Sequence, residues 1–173
     1  MIIFLRFIGA MNAAVWFGGS LFFTVGVAPA FFTPEMTRIV YAPFNGLVAQ
    51  LVLDRFFALH YWCGGIAVVH LLAEWVYLGR PMPRLTIHLL ATILGIQLLA
   101  GLVLAPKLKT LHRVKYSHPK PEERVAAAKS FGMLHGVASV ANLFVLGGLL
   151  IYSWRVINGK DGHRFVPTNK FRS

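Results

Sequence analysis

Seven histidines, one cysteine and six acidic residues carry most of the chemistry open to this 173-residue chain. His60, His70, His88 and His135 fall inside long apolar stretches, as do Cys63 and Glu74. An ionisable side chain inside a bilayer is costly, so each is a functional candidate. Two imidazoles on facing helices can clamp a b-type haem. A thiol with an imidazole suits a soft metal such as copper. Depth can be counted from the nearest flanking charge at about 1.5 Å per residue. On that count His60 lies roughly 8 Å inside Arg55, and His135 about 9 Å inside Lys129. The expectation is that His60 and His135 share one level and serve as haem axial ligands, with Asn142 beside them. His70 and His88 form a second candidate pair. Gly64, Gly65 and Gly136 are near enough to admit a macrocycle, while the metal reading draws on Cys63, His70 and Glu74.

Spacing groups these residues into faces. His70 and Glu74 are one helical turn apart, and Cys63 joins their stripe two turns earlier. His135, Ser139 and Asn142 recur at spacings of four and three, and so do Asn12, Trp16, Gly19 and Phe23. Polar stripes on several helices point to a shared interior. The simpler reading stands beside this one: such groups often only hydrogen-bond between helices, for about 0.6–2 kcal/mol each. Gly9, Gly18, Gly19, Gly64, Gly65, Gly147 and Gly148 are expected as close-packing positions.

The elements that must carry these residues follow from composition. Hydrophobic residues make up 57% of the chain and charged residues 13%, with 17 Lys plus Arg against 6 Asp plus Glu and a formal charge of +11. That excludes an ordinary water-soluble domain and a disordered tail. One cysteine excludes a disulfide framework, an iron–sulfur cluster and a multi-cysteine zinc site. A bilayer core of about 30 Å needs roughly 20 apolar residues per helix. The sequence therefore predicts an all-α integral membrane four-helix up-down bundle, with spans at about 7–32, 55–78, 85–105 and 127–154. Pro106 is read as the end of the third span. Residues 33–53 are read as a short interfacial amphipathic helix between spans 1 and 2, with extension of the second span as the alternative, residues 106–123 as a basic loop, and residues 158–173 as a polar basic tail. The first apolar stretch exceeds the roughly 7–15 residues of a signal core, so it is kept as a span. Trp75 with Tyr77, and Tyr152 with Trp154, close spans 2 and 4 where an aromatic belt would lie.

Eight cations fall on the side of the termini and nine on the other, so the positive-inside rule selects no orientation. Their concentration in loop and tail points to anionic membrane lipid, to partner subunits or to further copies of the chain, and not to nucleic acid. No glycine-rich phosphate loop or nucleophile elbow is present. The expected location is a bacterial or mitochondrial inner membrane.

Two stretches carry a family resemblance. Trp16-Phe17-Gly18-Gly19, followed by Val27-Ala28-Pro29-Ala30-Phe31-Phe32, resembles the opening of the transmembrane-protein-205-like four-span family. Phe131-Gly132-Met133-Leu134-His135-Gly136 through Asn142-Leu143 is similar to that family's His-Gly segment, with Ala138 where one of its serines would stand. The resemblance implies a four-span bundle and marks Trp16, Gly19, Pro29, His135, Gly136 and Asn142 as motif positions. It implies no reaction. At fold level the pattern is also similar to copper-resistance-D-type proteins and to HemJ-type protoporphyrinogen oxidases, which handle metal or haem. Three functions follow: haem or metal handling at the interior histidines; an accessory subunit of a larger membrane complex such as a respiratory one; or a proton-coupled transporter using Glu74 and His70.

Overall fold

The structure is a computed structural model and describes residues 2–79 and 83–158. Arg80 and the expected basic tail from Gly159 onward lie outside them. Five helical elements follow in order. α1 runs through Ile2–Phe22, a π turn at Phe23–Val27, and Ala28–Ala30. α2 is the short helix Pro34–Ile39, and α3 is Phe44–Leu78. α4 runs through Arg84–Leu99, a second π turn at Ala100–Leu104, and Ala105–Ser117. α5 is Pro121–Asn158. No strand occurs among the described residues. α1, α3, α4 and α5 are each long and apolar enough to cross a membrane.

These four helices form an all-α bundle, arranged as a ring. α1 packs on α3 and α5, and α4 packs on α3 and α5, so successive helices are neighbours and run up and down. Exposure is inverted relative to a soluble protein. Thirteen apolar and eight polar side chains are buried among the described residues, while Trp62, Phe22 and Phe144 are 70% exposed or more. A surface this apolar, wrapped around polar groups, is stable only where the surroundings are themselves apolar. The chain is accordingly a multi-pass membrane protein by the length and polarity of its helices.

Local signals explain the boundaries. Thr33 caps α2 by accepting from the Met36 amide at 3.2 Å, with Pro34 and Glu35 in the first turn. Gly79 ends α3 in the left-handed region at φ 57°, where its N–H reaches the Trp75 carbonyl. Pro121, Glu122 and Glu123 open α5, as their types require.

The structure corrects two expected boundaries. Residues 33–53 are not one interfacial helix: α2 covers only Pro34–Ile39, and residues 44–53 are the first turns of α3. Residues 106–123 are not a loop, because α4 continues to Ser117 and only His118–Lys120 link it to α5. Pro106 fails to stop α4 because the turn before it is widened. A proline lacks the amide hydrogen and collides with the carbonyl four residues back. A π turn shifts the bonding pattern by one residue and takes up that defect. Here the Ala105 amide bonds to the Ala100 carbonyl, and Pro106 follows. The same device recurs in α1, where the Ala28 amide bonds to the Phe23 carbonyl just before Pro29.

Candidate functional site

Asn12, Trp16, Ser20 and Thr24 stand four residues apart on α1 and form one polar line down its inner face. Asn12 donates to the Cys63 carbonyl at 2.9 Å. The Trp16 indole N–H donates to Nδ1 of His60 at 2.8 Å. Ser20 donates to the Trp16 carbonyl at 2.6 Å, and Thr24 to the Ser20 carbonyl at 2.8 Å. Asn142 of α5 closes the line by donating to the Thr24 hydroxyl at 2.9 Å.

His60, fully buried on α3, is the centre of this network. An indole nitrogen can only donate. Nδ1 therefore offers its lone pair, and the proton of the neutral ring sits on Nε2. Ser20 Oγ lies 3.3 Å from Nε2 and, having given its own proton to Trp16, accepts from it. The Gln97 amide nitrogen of α4 stands 3.3 Å from the same ring nitrogen. Three helices thus hold both sides of one imidazole, with the Phe56 ring edge-on at 4.4 Å.

His135 does not join it. Its ring stacks on Phe131 at 5.9 Å with planes 4° apart and tilts against Phe32 at 6.1 Å. The two imidazoles expected as haem ligands therefore belong to separate sets of contacts, and each His60 nitrogen is already engaged. Equal depth, expected from the flanking charges, does not hold: His60 meets Trp16 and Ser20, whereas His135 meets Phe32, twelve residues beyond Ser20. Asn142 shares a cavity wall with His135 but bonds to Thr24.

The other expected sites are placed as follows. His70 Nε2 donates to the Leu5 carbonyl at 2.9 Å, and its ring fills the space that a Cβ on Gly9 would need. Glu74 lies 3.8 Å from the same nitrogen, bordering a small cavity with Thr86, Tyr152 and Arg155. His88 is exposed on α4, away from the bundle interior. Cys63 is buried in the apolar core beside Ala13, Ala67 and Leu90. Among the described residues, no three His, Cys, Asp or Glu side chains are placed to hold a metal ion. Gly19 and Gly64 are close-packing positions, against Leu59 and Leu94, whereas Gly18, Gly65, Gly136 and Gly147 face open space.

The opening in the bundle lies beside the network. A cavity of about 300 Å³ is bounded by Phe23, Thr24 and Ala28 of the first π-turn region, and by Ala100, Leu104 and Ala105 of the second. Gln97, His135, Ser139 and Asn142 supply its polar wall. Each π turn adds a residue to its helix and pushes the local backbone aside, which makes room between α1 and α4 where they would otherwise close. Sequence reasoning missed Ser20, Thr24 and Gln97. The four-residue repeat from Asn12 to Thr24 was a readable signal for the first two, and Gln97 is the only side-chain amide in α4.

The chain belongs to the family described as Domain of unknown function (DUF4149), which matches residues 11–117. The match takes in the His60 network and both π turns, and it ends before α5, so His135 and Asn142 lie outside it. No curated protein and no solved structure matches the chain.

Proposed function

We propose that this multi-pass membrane protein binds a membrane-dissolved lipophilic molecule in the cavity between its π turns. Its apolar body would lie against Phe23, Phe56 and Ala105, with a polar group reaching Gln97, Ser139 or His135. The observation that carries the reading is the framing of one cavity by two π turns on different helices, since such turns gather at functional sites. A pocket of this size, mostly apolar with a few convergent polar groups, is the usual form of a small-molecule site. The His60 network serves it as a scaffold: it holds Thr24 and Gln97 along the cavity wall. This reading takes the place of haem or metal handling, because His60 has no ring nitrogen to spare for a ligand bond.

The test is extraction and mass spectrometry of lipophiles retained by the protein purified in mild detergent. Wild type and Gly18→Ala should retain a molecule in fixed proportion. Ala28→Trp, which fills the cavity, should lose it. A Soret band in the purified protein, abolished by His60→Ala, would overturn the reading in favour of haem. Equal retention by Ala28→Trp would overturn it in favour of annular lipid.

A further inference from the structure

The cavity does not end at the π turns. A second space of about 260 Å³ shares Phe23, Leu53, Ala105 and Leu108 with the first and extends to Lys109, His112 and Lys115 near the end of α4. Adjoining across these shared walls, the two spaces together reach from an amide-lined apolar interior to a basic mouth. Gln97 and Lys115 lie eighteen residues apart on α4, so the two spaces together span on the order of 27 Å.

The cations at the mouth are not equivalent. Lys109 is neutralised by Asp54, with both carboxylate oxygens at 2.8 Å. Lys115 has no carboxylate within ion-pair distance among the described residues. Its ammonium instead lies 4.9 Å from the centre of the Tyr116 ring and 5.9 Å from that of Phe131. His112, one turn earlier on the same face, is buried with its Nε2 edge against Gly46. An uncompensated ammonium at the mouth of an apolar passage is complementary to an anionic head with an apolar tail.

We infer that the occupant is a single-chain amphiphile of the long-chain carboxylate class, its head at Lys115 and His112 and its tail running toward the π turns. Cavity sizes of about 300 and 260 Å³, with shared walls, leave room for one chain and not for the two of a phospholipid. Among the described lysines that line this mouth, Lys115 alone has no carboxylate partner, and its single charge matches one negative charge. This inference rests on the cavity reading above and adds the chemistry of the head.

Spin-labelled stearic acid and its methyl ester, added to the full chain in neutral phosphatidylcholine vesicles, test it. The component read is the motionally restricted signal that Ala28→Trp removes. Stearic acid should be restricted about tenfold more strongly than the ester in wild type, Lys115→Arg and Lys107→Ala. In Lys115→Ala the two labels should become equal. Equal restriction of acid and ester in wild type overturns the head-group inference and leaves the cavity reading standing, as does an acid preference that survives Lys115→Ala. A spin-labelled phosphatidylglycerol restricted more than stearic acid overturns the single-chain carboxylate. No removable component for any label overturns both readings.

Discussion

Replacing Trp16 by Phe keeps a ring against Tyr152, whose centre lies 5.9 Å away, and removes only the indole donor. Nδ1 of His60 is then left unpaired in a dry interior, at a cost of about 1–3 kcal/mol. Thermal unfolding in detergent should show that loss for Trp16→Phe, and the double variant with His60→Leu should recover part of it. Simple addition of the two single losses would mean that the bond is not coupled to folding. Gly9→Ala is expected to lower stability too, because the added methyl meets the His70 ring, while Gly18→Ala faces open space and should be within about 0.5 kcal/mol of wild type. His60 was legible in the sequence because an ionisable group in an apolar run stands out. Trp16 and Ser20 were legible as members of a four-residue repeat but not as its partners. Counting from flanking charges gives depth along a helix, whereas a hydrogen bond also depends on how each helix is turned about its axis. The depth count itself also failed, because Arg55 and Lys129 lie inside α3 and α5 and not at their ends, and His60 and His135 stand at different levels of the bundle.

The Ala28-Pro29 and Ala105-Pro106 steps, each just after a π turn, act on whole helices. If α4 already passes through Pro106, then Pro106→Ala restores a missing amide without lengthening the helix, and the far-ultraviolet circular dichroism should not change. A rise in helicity would mean that the proline ends the helix in the membrane. The number and order of the long helices were readable because about 20 apolar residues in a row admit little else. The π turns were not, since one added residue leaves hydropathy untouched while turning every later side chain by about 100°. The same shift explains the misplaced loop at 106–123. Composition there is basic, and basic composition reads as solvent-exposed, but a helix can be solvent-exposed and continue.

For the molecule as a whole, the inverted distribution of polarity makes the bilayer part of its folding environment. Trp62 is 75% exposed near the middle of its span, whereas Trp16 is fully enclosed. With the other tryptophans replaced by Phe, emission from Trp62 should be quenched strongly by brominated acyl chains, and that from Trp16 should be spared. Equal quenching would mean that the ring of helices is open to lipid at Trp16. The described residues also show α3, α4 and α5 leaving the apolar region without a break, and the Lys109–Asp54 pair ties α4 to α3 beyond it. A flexible loop in place of residues 106–117 would absorb any twist that begins in the membrane. A continuous helix does not. Any turn of a span about its axis is therefore carried to its basic end outside, like the handle of a key whose bit is in the lock.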